Sequence, residues 1–131
     1  GAEGGCQAET GTASAMAAAA VVELLGGTPE ESLHAASMTI KNILGLVCDP
    51  IAGLVECPCV KRNAIGAANA LISSDMALAG IKSIIPFDEV VDAMYRVGKT
   101  MPSDLRETAL GGLAATPTGK RIMDEIFNSN K

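Results

Sequence analysis

Three features of the 131-residue sequence predict an all-α fold: 21 Ala and 14 Gly, one Tyr with two Phe and no Trp, and apolar residues recurring at three- and four-residue intervals between Gly and Pro breaks. The composition is 48% hydrophobic with a mean hydropathy of +0.29, so a core can form, and it must be built from Ala, Leu, Ile, Val and Met. The length suits a single domain, residues 1–131: a compact bundle of about five to six helices, with glycine-rich loops carrying the cysteines.

The elements follow in order. The alanine-rich stretch 8–25 predicts a first helix, stopped by Gly26 and Gly27. Thr28 is a good N-cap, Pro29 suits the first helical position and Glu31 stands three residues after the cap, which together make a capping box. Leu33, Ala36, Ile40, Ile43 and Leu44 continue that helix to about residue 46. Pro50, Gly53 and Pro58 make 47–59 a structured loop. Helical spacing resumes near Val60 and ends around Gly80, and Pro86 introduces a further helix that closes by Met101 and Pro102. Ser103 can cap a short helix through Leu110. A loop over 114–119 leads to a terminal helix from about Lys120 to Phe127.

A net charge of −5 and a pI near 4.8 argue against a nucleic-acid binder held by phosphate contacts. The longest apolar run, 13–25, is too short to span a bilayer, and Glu3 stands where a secretory signal needs basic residues. A soluble, cytoplasmic protein is expected. The glycine-rich opening without an initiator Met suggests a piece of a longer chain. In a reducing compartment, Cys6, Cys48, Cys57 and Cys59 read as metal ligands or redox groups sooner than as disulfides. All four fall at loops or helix ends. Their spacing is neither that of a zinc finger nor that of a ferredoxin, so spacing alone leaves the ligand set open.

Four strings carry a resemblance: GAEGGCQAE at 1–9, LVCDPIAGLVE at 46–56, PCVKRN at 58–63 and AATPTGKR at 114–121. They resemble the iron-sulfur-dependent L-serine dehydratases of bacteria, specifically the C-terminal part of the α subunit or catalytic domain, over nearly the whole chain. The resemblance implies a 4Fe-4S cluster with Cys6, Cys48 and Cys59 as ligands and one iron left open for substrate. Cys57 falls where the family more commonly has an apolar residue, which makes it a bystander near the cluster, a replacement for Cys59 or a cap on the fourth iron. The implied reaction converts L-serine to pyruvate and ammonia, the open iron acting as Lewis acid on the hydroxyl and carboxylate. Its implied partners are the upstream region and a β subunit or β domain, in an oligomeric enzyme. A cluster-dependent cysteine desulfidase and a non-catalytic zinc-binding helical module are the competing readings.

Substrate contacts are expected from Lys61, Arg62 and Asn63 beside one ligand, and from Thr118, Gly119 and Lys120 entering a helix, since a carboxylate needs cationic or N-terminal donors. Each basic pair reads equally as a solvated helix end. Glu9 and Ser14 could reach the cluster or merely cap. The lone His34, mid-helix, reads as structural, so the general base is expected outside this chain, which alone should be inactive. The methionines read as core filler. Asp88, Glu89 and Asp92 read as partners of a helix dipole.

Overall fold

The computed structural model describes residues 1–128. Five helices appear among them: α1 (Cys6–Leu24), α2 (Pro29–Asn42), α3 (Cys59–Leu78), α4 (Phe87–Thr100) and α5 (Pro117–Asn128). Single 3-10 turns lie at Ile51–Gly53, Ser103–Leu105 and Gly112–Ala115. The described residues contain no strand, only one parallel bridge between Cys48 and Arg106. The all-α expectation therefore holds.

Helices α1, α2 and α3 pack against one another, α4 lies on α2 and α1, and α5 rests on the turns at Ile51–Gly53 and Gly112–Ala115. The core is built from small residues: Ala18, Val22, Ala35, Met38, Ala70 and Ala77 in one cluster, Ala15, Ala36, Ile40 and Val90 in another. Small side chains let the helix backbones approach closely. A methyl group on Gly66 of α3 would stand 2.6 Å from Ser14 Oγ on α1, and Ser74 Oγ of α3 donates to the Ala18 carbonyl at 3.0 Å. Met38 and Met101 are buried as expected of filler, but Met16 is 65% exposed and packs no core. No described helix is long and apolar enough to cross a membrane.

The capping box at α2 forms in full. Glu31 N–H donates to Thr28 Oγ1 at 3.2 Å, and the Glu31 carboxylate accepts from Thr28 N–H at 2.7 Å.

Three boundaries differ from expectation, each for a tertiary reason. Helix α2 stops at Asn42 rather than near 46, because Gly45 N–H is taken by Gln7 Oε1 at 2.9 Å and the Leu46 carbonyl by Gln7 N–H at 2.9 Å. The short helix over 103–110 reduces to one turn. There Cys48 N–H donates to the Leu105 carbonyl and Glu107 N–H to the Cys48 carbonyl, and φ is positive at Glu107 and Ala109. Helix α5 starts at Pro117 because Thr116 Oγ1 accepts from Gly119 N–H at 3.1 Å, a cap three residues earlier than expected.

Candidate metal centre

Cys6 is the first residue of α1 and Cys59 the first residue of α3, two helices that pack together. Each thiol thus sits at the positive end of a helix dipole, which favours thiolates and negatively charged groups. Gly5, immediately before Cys6, has φ 75°, and a side chain there would meet Met101 Sδ at 2.6 Å and the Leu46 carbonyl at 2.8 Å. Glycine is needed so that the chain can turn into α1 against the loop that carries Cys48.

Gln7 fastens this corner. It is fully buried; its Nε2 donates to the carbonyls of Gly4 and Met94 at 3.0 and 2.9 Å, and its Oε1 accepts from Gly45 N–H. The Cys48 loop is gripped from α3. Arg62 Nη1 donates to the Val47 carbonyl at 3.0 Å and to Asp49 Oδ1 at 2.6 Å, while Asp49 Oδ2 accepts from Leu113 N–H at 2.7 Å. The residues on both sides of Cys48 are therefore tied to the helix that begins at Cys59.

All four cysteines are reduced: Cys6 and Cys48 buried, Cys59 partly buried, Cys57 exposed. Burial pushes the Cys48 thiol up to about 11, the carboxylates of Glu107 and Glu9 and the Cys6 charge adding to the rise and the Gly1 amine opposing it. Burial also raises the Cys59 thiol, followed by the Cys6 charge. Cys6 is thus felt by both of the other buried or half-buried thiols. Among the described residues, three donor atoms lie within 4.8 Å of one another only in the group Glu9, Cys48 and Glu107. The sulfurs of Cys6, Cys48 and Cys59 are therefore not drawn in to the roughly 3.8 Å sulfur-to-sulfur spacing around a single tetrahedral zinc ion. Reduced thiols carried by the heads of two packed helices and by a loop tied to one of them are donors of the chemical type that an iron-sulfur group takes.

Of the residues expected to meet a substrate, Lys61, Asn63, Thr118 and Lys120 are exposed. Arg62 is committed to Asp49 and Val47, and Gly119 is buried against the Leu113 carbonyl, its N–H capped by Thr116. Ser14 is buried and lines a groove of about 350 Å³ between α1 and α3, together with Thr10, Asn63 and Gly66. His34 Nδ1 accepts from Ser83 N–H at 3.3 Å, which ties α2 to the segment after α3. Helix α3 is 20 residues long, about 30 Å, so His34 sits at the end of the bundle opposite Cys59.

Sequence reasoning missed Gln7, Thr10, Asp49 and Glu107 at this site. Gln7 and Thr10 carried a signal, as polar residues one and four positions after a cysteine in an alanine-rich helix; Glu107 carried none, being 59 positions from Cys48.

The profile of the family "Serine dehydratase alpha chain" matches residues 1–114. The chain is 69% identical over 127 residues to the "Probable L-serine dehydratase, alpha chain" of Bacillus subtilis (strain 168), covering 97% of this chain and 42% of that protein. It is also 69% identical over 127 residues to the "L-serine dehydratase, alpha chain" of Peptoniphilus asaccharolyticus, covering 97% and 44%. With "L-serine dehydratase 1" of Escherichia coli (strain K12) the identity is 48% over 115 residues, 87% of this chain and 25% of that protein. The chain thus spans less than half the length of these relatives.

Proposed function

The chain belongs to the serine dehydratase alpha chain family, and from that premise we propose that it is the cluster-bearing part of an L-serine dehydratase, with Cys6, Cys48 and Cys59 as ligands of a 4Fe-4S group. The observation that supports the reading is the placement of three reduced thiols, two at the heads of packed helices and the third on a loop clamped to one of them. When bound, the cluster supplies an iron without a protein thiolate, a Lewis acid for the substrate hydroxyl and carboxylate.

The chain's own residues do the rest of the local work. Cys6 and Cys59 place their sulfurs at two positive helix ends, which offset the negative charge of thiolates and sulfides. Arg62 and Asp49 fix the Cys48 loop, so the third sulfur is held without relying on metal for its position. Lys61, Asn63, Thr118 and Lys120 are the exposed donors we assign to the substrate carboxylate; α5, which carries two of them, packs on the turn between Cys48 and Cys59. Gly119 serves this by letting the α5 head lie against the Leu113 and Ala114 carbonyls. We assign the base that takes the α-proton outside these 131 residues, since the lone histidine, His34, is held at the far end of the bundle, and the alpha-chain names of the relatives support a β partner.

The test is anaerobic reconstitution of the full-length enzyme with iron and sulfide, followed by a pyruvate assay on L-serine, D-serine, L-threonine and L-cysteine. Absorbance near 400 nm with pyruvate from L-serine supports the reading. Turnover confined to L-cysteine would make the protein a desulfidase, and one bound zinc with no visible band would make it a structural module.

A further inference from the structure

We propose that the Thr10 hydroxyl is the hydrogen-bond donor that holds the Cys6 thiolate in its ligand position and sets the redox stability of the bound cluster. The inference rests on the cluster reading above and assigns a positioning role to a residue that touches neither iron nor substrate.

Thr10 lies one turn after Cys6 on α1, and Asn63 one turn after Cys59 on α3. Thr10 is buried, with Oγ1 3.0 Å from Cys6 Sγ and 3.5 Å from Asn63 Oδ1. The close approach of α3 holds it there: a methyl group on Gly66 would stand 2.9 Å from Thr10 Cγ2. The side chain is thus confined while its hydroxyl hydrogen remains free to turn. In the metal-free protein either atom of the Cys6–Thr10 contact can be the donor; with Thr10 O–H turned to Asn63 Oδ1, Cys6 S–H donates to Thr10. Ligation removes the S–H proton, leaving sulfur and oxygen lone pairs facing each other at hydrogen-bond distance. That contact is favourable only when the Thr10 hydrogen turns from Asn63 to the sulfur, where an anionic acceptor makes the stronger bond.

Hydrogen bonds to the sulfurs of an iron-sulfur centre stabilise its more negative, reduced state and so raise its potential. Removing this one lowers the potential and makes the cluster easier to oxidise. Residues behind metal ligands typically alter metal affinity by about 10- to 100-fold when lost, and an effect at the lower end is expected for one hydroxyl.

The test compares full-length wild-type, Thr10→Val and Thr10→Ser enzymes after anaerobic reconstitution, reading iron content, the midpoint potential and the rate of bleaching in air. Thr10→Val should bind iron, show a lower potential and bleach about 10-fold faster, and Thr10→Ser should restore both. Equal potential and bleaching in Thr10→Val and wild type overturn the proposal while the cluster reading stands. Absence of iron from the wild type sinks the cluster reading and this inference with it. Should Thr10→Val fail to fold, Thr10→Ala decides: lacking the hydroxyl but adding no bulk beside Gly66, it should show a lower potential and faster bleaching than wild type, and values equal to wild type refute the assignment.

Discussion

Arg62 Nη1 stands 2.6 Å from Asp49 Oδ1, and the same nitrogen reaches the Val47 carbonyl, so one side chain of α3 clasps Cys48 from both sides. Asp49 is 3% exposed and the Arg62 side chain 20%. Breaking a buried pair leaves an uncompensated charge, so Arg62→Ala should destabilise the fold by roughly 3–5 kcal/mol. Arg62→Lys should recover only part of this, because a single ammonium replaces a planar fork. Urea unfolding of the two variants checks both.

Each of Cys6→Ser, Cys48→Ser and Cys59→Ser should abolish iron and sulfide uptake by the full-length enzyme, whereas Cys57→Ser should retain it. The distinction follows from place: Cys57 is exposed, and the other three lie at α-helix heads or on the clamped loop. Iron and sulfide analysis after anaerobic reconstitution is the measurement. A dependence on Cys57 in place of Cys59 would redraw the ligand set.

Thiol modification of the metal-free protein should follow access and thiolate population. Cys57, exposed, should be alkylated first by iodoacetamide at pH 8. Cys48, with its thiol pushed up to about 11, should be last, since about one molecule in a thousand carries the thiolate at that pH. Its modification rate should rise about tenfold per pH unit until about 11. Because the folded value lies above the ordinary thiol value of 9.0, the stability this thiol contributes is complete below 9.0 and is lost as pH rises through about 11. Peptide mapping by mass spectrometry gives the order of reaction.

The head of α2 should give the protein a measurable acid sensitivity. Bonds from the Thr28 backbone N–H and hydroxyl hold the Glu31 carboxyl below its usual 4.5. A depressed folded value contributes stability that is present above 4.5 and disappears as pH falls through the lower folded value. Glu31→Gln should flatten that part of the stability profile, and Thr28→Ala should cost about 1 kcal/mol at neutral pH. Thermal unfolding between pH 3 and pH 7 reads both.

The helices were legible because their signals are local. Alanine content marked α1, the Thr28 capping box marked α2 to the residue, and three- and four-residue spacing marked α3 and α4. Segment 103–110 reads locally as helix, yet backbone groups of Leu105 and Glu107 are captured by Cys48, 59 positions before Glu107, and no local pattern announces such a partner. Thr116 does not announce itself as a cap, since Gly119, whose N–H it accepts, reads in sequence as a loop residue.

At the site, sequence alone determined which residue types are present and, through long matching strings, which three cysteines to suspect. It could not determine that Arg62 faces the Cys48 loop instead of solvent, that Gln7 joins α1, α4 and the end of α2, or that Thr10 and Asn63 meet beside Cys6. Propensities, caps and apolar spacing act within a few residues, so the chain announces them wherever it is read. The direction of a long polar side chain depends on which partner the packed helices bring within about 3 Å, and that is decided only when α1, α3 and the loop between α2 and α3 come together.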